Sequence, residues 1–410
     1  MERTIVGIDV GTTKVCTLVG EVDAEGALRI VGVGVVPSRG MRKGVVVNVQ
    51  EASAAIAESV AAAERVSGYR IERAFVGISG AHIASLNSRG VVAVGRGERI
   101  ISYEDIDRAL EAAGAIAIPH NRRVVHVIPR GYTVDGQNGV RNPVGMHGFR
   151  LELEAHIVTA AATALYNLAR CVEEVGVAVD EIVLAPLASG QAVLTETERE
   201  MGVALADIGG GTTDIAIFID GTIWHTVVVP VGGYHLTNDL AIGLRLPFET
   251  AEAIKLRYGH ARPQDVPAEE TFTVQSFGDE PRQQVFRREM VSILEARVEE
   301  IFSLIGQEIR RSGYEGLLPA GLVVCGGTAQ LPGLRQMGQE VLGMPVRVGR
   351  PRDLQGLVDT LVHPAYATSV GLLQWGVEGA LHPRYPLYHS NGSSPFLKWL
   401  GGWLRNFLPG

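Results

Sequence analysis

The stretches "IVGIDVGTTKV" (residues 5–15) and "ALADIGGGTTDIAIF" (residues 204–218) of this 410-residue chain are built alike. Each reads as an apolar strand that ends in Asp, a turn of Gly and Thr, and a second apolar strand. One such turn carries little information, because Gly-rich turns connect many ordinary hairpins. Two copies, separated by about two hundred residues, predict two lobes of similar build that each offer one turn.

The residue types in these turns suit an anion. Gly lets the backbone approach a ligand closely, and N–H groups and Thr hydroxyls can surround a phosphate. Asp9 and Asp207 end the preceding strands and offer the hard oxygen that hydrated Mg²⁺ prefers, here through water. A third Gly-Gly-Thr, in "VVCGGTAQLPG" (residues 323–333), follows a predicted strand and opens a predicted helix. That setting allows close approach to an α-phosphate and a nucleoside.

Composition excludes several other classes of protein. The net charge of -8 and the pI of about 5.8 argue against a sequence-wide affinity for nucleic acid. The three cysteines are far apart and form no C-x-x-C pair, which argues against a disulfide framework or a cysteine zinc site. Asp9 and Lys14 fall where a signal peptide needs its apolar core, so we expect no secretion. No apolar run is long enough to span a membrane. We therefore expect a cytosolic, multi-domain α/β protein.

The end of the chain, "SSPFLKWLGGWLRNFLPG" (residues 393–410), is strongly apolar and follows a polar segment. On a helical wheel, at about 100° per residue, one half holds Trp, Phe and Leu and the other half is polar and basic, as in a helix that lies in a membrane interface. The apolar half consists of Phe396, Leu397, Trp399, Leu400, Trp403, Leu404, Phe407 and Leu408, and the basic residues are Lys398 and Arg405. The alternative is a helix docked on the protein's own core. One such helix binds lipid weakly, and many copies along a filament would bind firmly.

The motifs "DVGTTK", "DIGGGTTD" and "CGGTAQLPG", in this order, resemble those of the actin-like ATPase superfamily. "AEAIK" (residues 251–255) is similar to that superfamily's nucleoside-contacting helix. Two further stretches resemble the FtsA family of bacterial cell-division proteins: residues 124–160, "VVHVIPRGYTVDGQNGVRNPVGMHGFRLELEAHIVTA", and residues 184–200, "LAPLASGQAVLTETERE". The resemblance extends over nearly the whole chain.

The resemblance implies an actin-like two-lobed α/β fold, made of duplicated ribonuclease-H-like lobes with a family-specific inserted subdomain. The implied divisions are lobe 1 at 1–81, the insert for protein contacts at 82–158, lobe 1 again at 159–200, lobe 2 at 201–355, a return helix at 356–378, a flexible linker at 379–394 and the amphipathic helix at 395–410.

The resemblance also implies Mg-ATP in the cleft between the lobes, with Asp9 and Asp207 beside the metal. A nucleoside-contacting helix at 249–258 and a nucleoside turn at 325–329 would complete the site. The implied nucleotide-binding residues are Asp9, Gly11, Thr12, Thr13, Lys14, Asp207, Gly209, Gly210, Gly211, Thr212, Thr213, Gly232, Gly233, Glu252, Lys255, Gly326, Gly327 and Thr328.

One position departs from the pattern of hydrolysing relatives. Many of them carry a Glu before a Pro in the strand–helix connection, and here Ala185 precedes Pro186. Fast transfer to water needs a group that orients the attacking water, so we expect slow or negligible ATP hydrolysis, unless Gln191 or another side chain substitutes.

The implied partners are FtsZ, through its acidic C-terminal tail, further copies of the chain in an actin-like filament, anionic inner-membrane lipids and later division proteins. Arg297 and Ile301, on the long helix of lobe 2, are the candidate FtsZ contacts, and the alternative for Arg297 is an ordinary solvated face. Two other functions remain open: a PilM-like pilus-assembly adaptor and a small-molecule kinase of the same superfamily. The insert and the terminal helix favour neither of them.

Overall fold

The computed structural model describes residues 3–23, 25–95, 99–277 and 282–381. Before the insert the chain forms β1 (Arg3–Val10), β2 (Lys14–Val22), β3 (Leu28–Pro37), β4 (Met41–Arg42), β5 (Val45–Val46), α1 (Val49–Ser67) and β6 (Arg73–Ile78). Helix α1 begins after Asn48, whose side chain accepts from the N–H of Glu51, and ends at Gly68 in the left-handed conformation. The strand just before it, β5, is only two residues long, and Asn48 then caps the helix.

The insert is a four-stranded antiparallel sheet with one helix. It contains β7 (Ala84–Ala93), α2 (Tyr103–Gly114), β8 (Arg122–Val134), β9 (Gln137–Val140) and β10 (Arg150–Ala161), in the sheet order β7-β10-β8-β9. The helix α2 was not expected from the sequence. It starts at a capping box in which Ser102 and Asp105 each satisfy a backbone N–H of the other.

The chain then returns to lobe 1 and crosses into lobe 2. The returning elements are α3 (Ala162–Glu173), β11 (Ala178–Leu184), α4 (Ala185–Val193) and α5 (Glu196–Met201). Lobe 2 contains β12 (Val203–Ile208), β13 (Thr213–Ile219), β14 (Thr222–Val229), α6 (Gly233–Gly243), α7 (Phe248–Tyr258), β15 (Thr271–Val274), β16 (Gln283–Phe286), α8 (Arg287–Ser312), β17 (Leu322–Cys325), α9 (Leu334–Leu342) and β18 (Val346–Val348). Finally β19 (Gln355–Gly356) and α10 (Ala367–Leu381) pack on lobe 1.

The two lobes repeat one topology. Lobe 1 has the strand order β11-β6-β1-β2-β3-β19, and lobe 2 has β18-β17-β12-β13-β14. In each lobe three antiparallel strands are followed by a strand parallel to the first, β6 beside β1 and β17 beside β12. The duplication expected from the repeated turn is therefore confirmed, and both turns lie at the end of the first strand of their lobe.

Within the described ranges, the buried apolar residues form three clusters, belonging mainly to lobe 1, lobe 2 and the insert. The long helix α8 buries an apolar stripe at helical spacing, which includes Met290, Leu294, Val298 and Ile305. The expected helix at the third Gly-Gly-Thr is instead a single 3₁₀ turn, Gly327–Gln330, because Pro332 and Gly333 delay α9 until Leu334.

Candidate functional site

A cavity of about 780 Å³ lies between the two lobes. All the predicted nucleotide-binding residues line it except Thr213 and Gly232. The hydroxyl of Thr213 donates to the carbonyl of Val231, 2.7 Å away, inside the lobe. Gly232 is not part of the lining. It packs against the backbone of the second turn, where a Cβ would lie 2.6 Å from the carbonyl oxygen of Gly209 and 2.9 Å from that of Gly210.

The turn after β1 forms one wall. The N–H of Gly11 donates to the carbonyl of Lys14 at 3.0 Å, which closes the turn. The Lys14 ammonium lies 3.9 Å from the carboxylate of Asp9 and donates to the carbonyl of Ala365. Asp9 also accepts from the hydroxyl of Ser369 on α10, 2.9 Å away. The lobe 1 wall therefore carries a carboxylate with a cation beside it.

The turn after β12 forms the opposite wall. The N–H of Gly209 donates to the carbonyl of Thr212 at 2.9 Å. The two turns approach so closely that a Cβ on Gly210 would clash with the Thr13 side chain, and one on Gly211 would lie 2.7 Å from the Thr12 hydroxyl. Glycine is required at these positions because the backbone of one loop faces the side chains of the other.

Lobe 2 contributes two buried carboxylates to the cavity. Asp207 accepts from the hydroxyl of Thr368, 3.0 Å away, and burial raises its pKa above the ordinary value. Asp214 accepts from the hydroxyl of Ser79 at 2.6 Å and 2.7 Å to its two oxygens. Burial raises the pKa of Asp214 to about 7, although the hydrogen bond from Ser79 opposes that change.

Asp214, Ser79 and Thr368 were not among the predicted site residues. Asp214 was the one with a sequence signal, since an Asp is unusual at the start of an apolar strand. Ser79 directly follows β6 and Thr368 lies on α10, far from either turn in the chain, and only the fold brings them to the cavity.

The other end of the cavity is less polar. Tyr234 and Phe248 pack ring to ring with centroids 4.5 Å apart, and both line the cavity together with Leu256, Leu331 and Pro332. Glu252 and Lys255 lie beside them on α7, and the Lys255 ammonium donates to the Glu252 carboxylate at 2.7 Å. The cavity thus has a hydroxyl- and carboxylate-rich end and an apolar end with one ion pair.

The position predicted to lack a catalytic carboxylate is on the wall. Ala185 begins α4 and lines the cavity. Gln191, the suggested substitute, is not part of the lining, and its side-chain oxygen accepts from Arg199 at 3.0 Å.

The two candidate partner residues on α8 have different environments. The Arg297 guanidinium donates to both oxygens of Asp239 on α6, at 2.6 Å and 3.0 Å, and is also paired with Glu300. Ile301 is 3 % exposed and packs in the lobe 2 core. The prediction that Ile301 contacts a partner is therefore wrong for this conformation, because its side chain faces inward.

The predicted membrane-binding residues, Phe396 to Leu408, and nearly all of the predicted linker lie outside the described residues. Among the helices that the structure does describe, none has the length and apolarity needed to cross a bilayer. The described ranges also contain no group of three or more His, Cys, Asp or Glu side chains placed to hold a metal ion directly.

Two family models match the chain. The model described as cell division protein FtsA matches residues 204–371, and the model for the SHS2 domain inserted in FtsA matches residues 80–159. The chain is 48% identical to the cell division protein FtsA of Pseudomonas aeruginosa, over 92% of this chain and 90% of that protein. It is 37% identical to the FtsA of Escherichia coli K12, over 98% of both chains.

Solved structures share the fold at low sequence identity. The PilM–PilN type IV pilus biogenesis complex superposes with a TM-score of 0.66 at 15% identity, covering 91% of this chain and 98% of that one. MreB5 of Spiroplasma citri bound to ADP gives 0.54 at 14% identity, covering 93% and 99%. The MamK double helical filament gives 0.53 at 14% identity, covering 91% and 98%. These neighbours confirm the actin-like two-lobed fold.

Proposed function

The chain belongs to the FtsA family of cell division proteins, and from this premise we propose that it is an ATP-binding filament protein that attaches FtsZ filaments to the cytoplasmic membrane. The observation that carries the proposal is the pair of Gly–Thr turns facing each other across one cleft, each with an Asp at the end of its strand. We assign ATP to this cleft.

The shape and chemistry of the cavity support a nucleotide. Backbone N–H groups, Thr hydroxyls and Lys14 at one end suit phosphates, and the apolar end with Tyr234 and Phe248 suits a base. Asp9 and Asp207 line the same end as the two turns. They would hold Mg²⁺ through its water shell, and the ion would neutralise charge on the phosphates. A structural neighbour, MreB5, has been solved with ADP and with AMPPNP.

ATP hydrolysis should be slow. Ala185 occupies the wall position that the resemblance associates with a catalytic Glu, and Gln191 is held by Arg199. Single-turnover hydrolysis should therefore proceed on the order of 10⁻³ per second, as in NTPases that lack part of their catalytic set. A rate near 1 per second would contradict this part of the proposal.

The anchor would be the amphipathic segment that contains Phe396, Trp399, Trp403 and Phe407. Weak single helices become a firm attachment when a filament presents many copies. The filament contact would use further copies of the chain, as the MamK filament does for its own subunits. The location would be the cytoplasmic face of the membrane at the division site.

FtsZ and the later division proteins are assigned to different surfaces. The acidic tail of FtsZ would bind Arg297. Asp239 already accepts from the Arg297 guanidinium, so the tail would have to compete with Asp239. Later division proteins would bind the insert. Because Ile301 is buried, the FtsZ surface is proposed without it.

Co-sedimentation with anionic liposomes in Mg-ATP tests the anchor. The full chain should pellet, and a chain that stops at Ser394 should stay in solution. A matched full-length variant, Trp399→Glu with Leu404→Glu, should also stay in solution because it keeps the length and loses the apolar face. Added FtsZ should pellet only with the full chain. Equal pelleting of all three forms would contradict the assignment of the tail.

A further inference from the structure

The insert contacts lobe 2 as well as lobe 1, to which it is joined. The first half of β7, at the edge of the insert sheet, lies beside β14, at the edge of the lobe 2 sheet. The Ser85 hydroxyl donates to the carbonyl of Thr226 at 2.8 Å, and the Asn87 amide donates to the carbonyl of Trp224 at 3.3 Å. Alternate side chains of one edge strand thus satisfy alternate carbonyls of the other.

A buried histidine closes this contact. His156 lies opposite Asn87 in the β10–β7 ladder and is 1 % exposed. Its Nδ1 lies 2.7 Å from the Asn87 side-chain oxygen, and its Nε2 lies 3.0 Å from the Thr226 hydroxyl. Burial lowers the pKa of His156 to about 3, so the ring is neutral. Nδ1–H therefore donates to Asn87, and Nε2 accepts from Thr226.

A second contact lies on the same edge. The Arg130 guanidinium of β8 lies over the Trp224 ring at 4.1 Å, and Trp224 packs edge-on against Tyr314 with ring centroids 5.4 Å apart. We call the set Ser85, Asn87, Arg130, His156, Trp224 and Thr226 the insert seam. Cation–π and hydrogen-bond contacts of this kind are directional, so they hold the two sheets in one relative position.

The segment that forms the seam also contacts the cleft. Ser79, just before β7, donates to Asp214 across the cavity, and Ser85 reaches Thr226 a few residues later. Asp214 and Thr226 belong to one antiparallel hairpin, β13–β14, in which Asp214 pairs with Val228 and Ala216 with Thr226. The same hairpin is therefore contacted at its cleft end by Ser79 and further along by the seam.

We propose that the insert seam couples the nucleotide state of the cleft to the orientation of the insert. This inference rests on the proposed nucleotide binding. Opening the lobes separates Asp214 from Ser79, and the β13–β14 hairpin then either pulls the insert with it or breaks the seam. Coupling of this kind is reciprocal: a protein bound to the insert changes the affinity of the cleft for nucleotide by the same factor by which nucleotide changes that protein's affinity.

Hydrogen exchange of the full chain, with and without Mg-AMPPNP, tests the coupling. In the unmodified chain, nucleotide should slow exchange in residues 84–93 and 222–229 by about tenfold. In Ser85→Ala/Asn87→Ala, that change in 84–93 should be lost. Nucleotide should bind about three- to tenfold more weakly, because the hydrogen bonds from Ser85 and Asn87 to lobe 2 are missing and His156 loses its acceptor. Ser88→Ala is the control, since Ser88 lies on the other face of β7, and it should behave like the unmodified chain.

Arg130→Gln removes the cation over the Trp224 ring without changing β7. It should reduce the nucleotide-dependent protection of residues 84–93 less than Ser85→Ala/Asn87→Ala does. The proposal is overturned if nucleotide binds and exchange in 84–93 is unchanged, or if the double variant binds nucleotide as tightly as the unmodified chain. If the binding measurement itself shows no nucleotide bound, the proposed function fails, and the coupling fails with it.

Discussion

The turn after β1 and the turn after β12 have the same length but different side chains. In the ladders, Asp9 pairs with Cys16 and Asp207 pairs with Asp214. Each Asp is therefore followed seven residues later by its strand partner (16 − 9 and 214 − 207). Aligning the two turns by their strand pairing therefore matches Gly11 with Gly209. Aligning the two Gly-Thr-Thr triplets of the sequence would instead match Gly11 with Gly211, two positions further on.

The shift shows how the two turns fit together. By the ladders, Thr12 and Thr13 correspond to Gly210 and Gly211, and these are the residues that face each other across the cleft. Side chains on one loop fill the space left by glycines on the other. The charges differ too: lobe 1 pairs Asp9 with Lys14, whereas lobe 2 offers two carboxylates that are buried and hydrogen-bonded to hydroxyls.

The largest expected effect is on the free energy of unfolding and comes from Asp214, a carboxylate whose matching position in lobe 1 is Cys16. The folded state holds the Asp214 proton up to about pH 7, above its ordinary pKa of 3.8. Stability from this group is therefore present at low pH and is lost as the pH rises from about 4 to about 7. The Asp214→Asn side chain does not ionise, so the variant avoids this loss. Its advantage, defined as its free energy of unfolding minus that of the unmodified chain, should grow by about 2–3 kcal/mol between pH 5 and pH 8.

Urea unfolding of both proteins at the two pH values measures this advantage. The control is Cys16→Ala at the matching position of lobe 1, where burial raises the pKa of the thiol to about 11. That side chain is neutral at both pH values, so its stability difference should not depend on pH. An Asp214→Asn advantage that stays constant from pH 5 to pH 8 would contradict the difference between the two loops.

The second prediction concerns the fit between the loops. Gly210→Ala places a Cβ against the Thr13 Cγ2, and overpacking of this kind costs about 1–3 kcal/mol. Mg-ATP should bind about ten- to a hundredfold more weakly. Adding Thr13→Ser removes the methyl group and should restore most of the affinity. No rescue by Thr13→Ser, measured by titration calorimetry, would mean that the loops do not meet in the nucleotide-binding state.

The smallest expected effect is the difference between two variants of α10, each of which loses a hydroxyl that donates to the Asp before one of the loops. Thr368→Val removes one hydroxyl donor from Asp207, and Ser369→Ala removes one from Asp9. Bonds to a charged group contribute about 1.5–3 kcal/mol when buried and less when partly solvated. Asp207 is the more buried of the two, so Thr368→Val should cost more free energy of unfolding. Urea unfolding of both variants checks the order, and the reverse order would contradict it.

The sequence predicted the lobes, the turns and most of the cavity wall because these features are local and repeated. It did not predict Ser79 or Thr368, because each reaches the cavity from a separate element. Ile301, a predicted partner contact, instead belongs to the buried apolar stripe of α8, because it follows Val298 by three residues and precedes Ile305 by four. The helix α2 had a signal in the capping box at Ser102 and Asp105, which the Gly- and Arg-rich surroundings obscured.

The central claim is that both turns hold one nucleotide. Titration calorimetry of the full chain with Mg-ATP tests it most directly, using Lys14→Ala for the first turn and Asp207→Asn for the second. We predict one site in the unmodified chain and at least about tenfold weaker binding in each variant, since each removes a contact to the phosphates or the metal. If either variant binds Mg-ATP as tightly as the unmodified chain, the claim that the two lobes share the nucleotide is contradicted.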